Sequence, residues 1–195
     1  MFVESQRYDR VAVALHWLIA CGVLAQIGLG WWMLDIPKQP VGVRAGWFNL
    51  HKSIGLTLGA LVVLRLAWRL AHRPPPLPPS LPRWQQAAAI ATHRLLYLCL
   101  LVMPLSGYLG SSFSGYPVRF FGITLPGWAA RNDALKDLFS QIHYAAAAIF
   151  MLLIALHAAA ALKHLLARDG LFGRMWPGRE PAAAPRADAG VTAGR

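Results

Sequence analysis

Seven histidines punctuate a 195-residue chain that is 56% hydrophobic and only 14% charged. In the run QIHYAAAAIFMLLIALHAAAALKHLL, residues 141–166, His143, His157 and His164 interrupt alanines and leucines. An imidazole inside lipid is costly, so each one is by default a functional residue with a partner to be found. His143 and His157 are about 14 residues apart, which on a helix brings them within roughly 40° of one direction and about 21 Å apart along the axis. Both can therefore face one bundle interior at two depths. Neutral imidazole is a good iron ligand, and a helical bundle core can hold a haem between facing histidines.

The elements that must carry these side chains are legible from charge alone. The stretches 11–34, 95–118 and 138–162 contain no Lys, Arg, Asp or Glu, and each exceeds the roughly 20 residues needed to span a bilayer. A fourth span, about 49–70, has Lys52, Arg65 and Arg69 toward its ends, where long cationic side chains can snorkel to the interface. The expected helices are 11–34, 49–70, 86–110 and 138–166, a transmembrane four-helix bundle of the all-α class occupying residues 1–176. The first run is longer than the 7–15-residue core of a cleaved leader and is read as a span. Cys21 and Cys99, inside apolar runs, read as small buried hydrophobes.

A net charge of +11 would point to nucleic acid in a soluble chain,, but four spans explain it better. Of the 19 Lys and Arg, one set of loops takes Lys38, Arg44, Lys52, Arg119, Arg131 and Lys136, and the opposite loops and tails take the rest. That asymmetry places both termini in the cytoplasm. Nucleic acid is not an expected partner.

With the termini inside, the histidines sort by depth. His16 lies near the inner face and His51 near the outer one. His93 is back at the inner face, His143 is outer and His157 inner. The depths pair His51 with His143 and His16 with His157, giving two axially ligated cofactors stacked through the membrane. Gly55 and Gly59 follow His51 on its helix, and alanines at 145–148 and 158–161 flank the ligands; small residues admit a flat macrocycle or serve plain helix contact. His93 lacks an obvious ligand slot and is open to three roles: supporting a ligand, contacting a quinone, or replacing His16. His164 is about 10 Å beyond His157, at interfacial depth, where it would meet solvent, a propionate or a quinone. His72, beside the prolines, reads as solvated.

Three segments outside the spans have distinct characters. HRPPPLPPSLPRW (72–84) reads as a stiff extended connector. The loop 110–137 is long, aromatic and glycine-rich, and is expected to fold over the helix ends. Residues 177–195 read as a disordered tail.

The ordered set RYDRVAVALHW (7–17), NLHKSIG (49–55), Arg65 with Arg69, THRLLYLCLLVMPLSGYLG (92–110), FGITLP (121–126), IHYAAA (142–147) and LHAAAALKH (156–164) resembles the bacterial cytochrome b561 family. The resemblance covers about 7–177. It implies two haems b, held by His16 with His157 and by His51 with His143, in a multi-pass protein of the bacterial inner membrane. One characterised type in that family oxidises superoxide to dioxygen and reduces ubiquinone, so the expected partners are ubiquinone and a small anionic donor such as superoxide. Related cytochrome b subunits dock on periplasmic dehydrogenases or hydrogenases, which leaves a partner subunit or a homo-oligomer as the alternative. Lys52, adjacent to His51, is the first choice to touch the anion or a propionate. The quinone is expected near His93, Arg94 and Trp17.

Overall fold

Four long helices carry the structure, a computed structural model that describes residues 7–40 and 42–178. They are α1 (Arg10–Trp32), α2 (Val43–Ala71), α3 (Arg83–Ser112) and α4 (Asp133–Ala167). Each is long and apolar enough to cross a membrane. The 23 residues of α1 reach about 35 Å, against a hydrocarbon thickness of about 30 Å. Leu18, Leu24, Leu98, Leu105, Ile149 and Leu152 are exposed. In water such a surface would drive association; in lipid it is the expected exterior. Cys21 is also exposed, contrary to the expectation from its apolar run, whereas Cys99 is buried.

Local chemistry fixes where the helices begin and end. The Asp9 carboxylate accepts from Ala12 N at 2.9 Å and from Trp68 Nε1 at 3.0 Å, so it caps α1 and ties it to α2. Asn132 caps α4 through Leu135 N at 3.0 Å, and Arg168, with φ of 51°, ends it in the left-handed region,. These caps explain the boundary differences. The uncharged runs mark only the hydrocarbon portion, while α2 and α4 continue outward through Arg44 and Lys136 into the interface. Hydroxyls in the spans are satisfied locally, with Thr57, Ser112 and Ser140 donating to carbonyls one turn back,.

α3 packs along α4, α1 along α2, and α2 along α3, but neither α1 nor α2 packs along α4 to a comparable extent. The bundle is therefore open on one side. Its tight part is a cluster of Ile19, Val23, Val62, Cys99, Phe150 and Leu153, in which Val62 is fully enclosed. Because lipid tails are as apolar as leucine, shape fit and not water exclusion holds this cluster. A Cβ on Gly59 would lie 3.1 Å from the Pro104 ring, so substitution there would force α2 and α3 apart.

The loop between α3 and α4 folds back, as expected. Its short hairpin pairs β1 (Arg119–Phe120) with β2 (Ile123–Thr124). Phe121 and Gly122 make the turn, both at positive φ, the pattern of a tight two-residue hairpin. Phe121 N donates to Ser53 Oγ at 2.9 Å, which seats the hairpin on α2 one residue from Lys52. Beyond α4, a short 3₁₀ turn, Phe172–Met175, returns to the start of the chain. Arg174 donates to Pro76 O at 2.8 Å and pins the proline connector. The expected tail falls, from residue 179 onward, outside the described residues.

Candidate functional site

The open side of the bundle is bridged by rings. His51 of α2 faces His143 of α4 with ring centres 6.3 Å apart and planes at 77°. His16 of α1 faces His157 of α4 at 6.2 Å and 76°. An imidazole nitrogen binds a metal at about 2 Å, and the ring centre lies roughly 1 Å further back, so two rings on opposite sides of one metal stand about 6 Å apart. Both pairs meet that spacing. Among the described residues no three His, Cys, Asp or Glu converge as a metal cage. The donor set is two imidazoles per site, which suits a cofactor that supplies its own equatorial ligands.

The surroundings of the two pairs differ. His143 Nδ1 lies 3.0 Å from Met103 O and 3.1 Å from Ser106 Oγ on α3. The carbonyl can only accept, so Nδ1 carries the proton and Nε2 is left as the metal-binding nitrogen. Gly107 makes this seat possible, since a Cβ there would lie 3.3 Å from the ring. His51 leans against Gly30 of α1 in the same way, at 3.4 Å. Its Nδ1 is buried without a partner among the described residues.

At the other end a third ring joins. His93 of α3 lies 5.3 Å from His157 at 69° and is exposed. Its spacing is shorter than a two-sided metal complex needs. Arg65 is half-buried here; it donates from Nε to Tyr97 OH at 3.0 Å and from NH1 to Ala12 O at 2.7 Å, joining α1, α2 and α3 below His16. Arg69 lies over the Tyr97 ring. No carboxylate pairs with either guanidinium among the described residues.

The remaining residues singled out in the sequence fall as follows. Lys52 is half-buried, next to the hairpin seat, and has no carboxylate partner among the described residues. Trp17 touches His16 edge-on at 5.5 Å, but its Nε1 donates to Met175 O at 2.7 Å. Its polar edge is thus committed to the C-terminal turn. His164 pairs with Asp169 and so has a protein partner at the interface. Burial pushes the Asp169 carboxyl up, but the hydrogen bonds from His164 and Leu171 N outweigh it and hold the group below its ordinary range,. Arg94 is exposed beside His93. His72 stacks on Trp68 with ring centres 3.8 Å apart.

Gly55 and Gly59 serve helix contact: a Cβ at Gly55 would meet the Gln26 amide, and one at Gly59 the Pro104 ring. The glycines that cradle the imidazoles are Gly30 and Gly107, which sequence reasoning missed, together with Ser106 and Gln26. A lone amide in the uncharged run 11–34 was the signal available for Gln26.

Comparison with known proteins agrees with this geometry. Residues 7–178 match the family model described as prokaryotic cytochrome b561. The chain is 35% identical to "Cytochrome b561 homolog 2" of Escherichia coli (strain K12), over 87% of this chain and 91% of the relative. It is 30% identical to "Cytochrome b561 homolog 1" of the same organism, over 89% and 99%, and 25% identical to "Probable superoxide oxidase CybB" of Yersinia pestis, over 88% and 97%. Four membrane-length helices, imidazole pairs spaced for a metal and a family match over nearly the whole described chain lead to one conclusion: this protein belongs to the prokaryotic cytochrome b561 family, membrane electron-transfer proteins that bind haem b.

Proposed function

We propose that the chain holds two haems b, one between His16 and His157 and one between His51 and His143, and moves electrons from a periplasmic donor, superoxide, to ubiquinone in the bacterial inner membrane. Both termini are cytoplasmic in this reading, which puts the His51–His143 pair near the outer face. The observation that carries it is the equal spacing of the two facing pairs, 6.2 and 6.3 Å. His16 with His157 and His51 with His143 would each hold a haem b, which would supply one-electron chemistry without a substrate bonding to the metal.

The protein's own residues do the rest. Lys38, Arg44, Lys52, Arg119, Arg131 and Lys136 outnumber Asp35, Asp133 and Asp137 at the outer face and draw a small anion toward His51. Lys52 is the contact residue, because it is half-buried and has no carboxylate partner among the described residues. Two superoxide anions leave as two dioxygen molecules, and ubiquinone takes up two electrons and two protons to become ubiquinol. His93, exposed beside His157, and Arg94 face the quinone. Both lie toward the cytoplasmic end, from which the protons come.

Mixing purified protein with a superoxide source and ubiquinone tests this directly. Haem reduction followed by ubiquinol formation is the expected result. Haem reduction only in the presence of a co-purifying dehydrogenase would assign the chain instead as a cytochrome subunit of a larger complex.

A further inference from the structure

Two buried polar side-chain atoms stand without a partner among the described residues: Gln26 Oε1 and His51 Nδ1. They belong to one contact. Gln26 Nε2 already donates to the His51 backbone carbonyl at 2.8 Å, so the amide is anchored on the residue that carries the second orphan, although its oxygen and Nδ1 are not bonded to each other directly. One orphan is an acceptor; the other carries a proton whenever Nε2 binds a metal. Buried groups of opposite kind in a shared space are satisfied by each other or through one water.

The glycines around this contact are arranged for it. Gly30, one turn beyond Gln26 on α1, leaves room for the ring: a Cβ there would lie 3.4 Å from His51 Cε1 and 3.9 Å from Nδ1. Gly55, one turn beyond His51 on α2, leaves room for the amide, with a Cβ 3.2 Å from Gln26 Nε2. Each helix thus gives up a side chain so that the other's polar group can come close. On the opposite ring, His143 Nδ1 is held by Met103 O, so both imidazoles of this pair have a polar seat behind them.

We propose that Gln26 is the positioning residue of His51: its amide oxygen takes the Nδ1 proton, fixing Nε2 toward the metal and making the imidazole a more basic ligand. The inference rests on His51 and His143 holding a haem. A hydrogen bond that strengthens the imidazole's basicity favours ferric over ferrous iron, so it lowers the potential of that haem alone.

Potentiometric titration of the purified holoprotein, followed by its visible bands, reads this directly. The haem missing in His51→Ala identifies which midpoint belongs to the pair. Gln26→Met keeps the volume and removes the acceptor; that midpoint should move up while the second stays in place. Gln26→Glu keeps an acceptor and adds charge; the same midpoint should move down. Low-temperature EPR of the oxidised protein should show one of its two ferric signals displaced. Unchanged midpoints, or both moving together in either variant, would overturn the proposal. If Gln26→Met loses the haem, the Gln26→Glu shift alone decides. A wild type without bound haem would sink the proposed function and not this residue's role specifically.

Discussion

The two ends of the open face pair imidazoles at the same spacing but are built differently. At the His51–His143 end both rings sit against glycines, and His143 is keyed by a carbonyl and a hydroxyl from α3. The hairpin closes over the neighbouring turn through Ser53. At the other end two imidazoles, His16 and His93, gather around His157, Arg65 reaches across three helices, and His93 lies exposed. One end is shaped to fix a cofactor under a lid. The other keeps a polar, accessible edge, which is why the proposed function puts the quinone there.

The sharpest way to break this comparison is to remove ligands one at a time. His51→Ala and His143→Ala should each lose one and the same haem and spare the other, while His16→Ala and His157→Ala lose the second; haem content and resolved spectra measure it. Crossed losses would dissolve the pairing. His93→Ala should retain both haems and slow ubiquinone reduction by up to about tenfold, the scale of one hydrogen bond. Loss of a haem there would instead make His93 a ligand.

Smaller effects sharpen the contrast. Gly107→Val should push His143 from its seat at a cost of about 1–3 kcal/mol, seen as easier release of one haem on warming, with no such effect on the His16–His157 haem. Lys52→Gln should lower the superoxide rate by on the order of tenfold at low salt and less at high salt. The smallest effect is at the start of α1. Burial raises the Asp9 carboxyl, but its bonds to Ala12 N and Trp68 Nε1 win and hold it below the usual range. A depressed carboxylate stabilises the fold above its unfolded value and loses that contribution as pH falls through the folded one. Acid below the ordinary carboxylate range, and not mild acid, should therefore loosen the α1 start, and Asp9→Asn should abolish the pH dependence of that step in thermal unfolding,.

The spans and the depth pairing were legible because charge exclusion and helical rise leave direct marks on the sequence. Helix ends were less so, since Asn132 and the turns through Arg44 and Lys136 extend α2 and α4 past the hydrocarbon. The fates of Trp17 and His164 could not be read, because their partners, Met175 O and Asp169, lie beyond α4 in a segment placed by tertiary packing. Gly55 and Gly59 were ambiguous for a physical reason: a missing Cβ serves a macrocycle and a neighbouring helix alike.

The central claim is two metal sites of two imidazoles each within a single chain. A reduced-minus-oxidised spectrum of purified protein, with haem quantified against polypeptide, tests it most directly. The account predicts two haems b per chain, both of the low-spin, six-coordinate kind. A single haem, or protein that stays colourless after expression with ample haem, would contradict it.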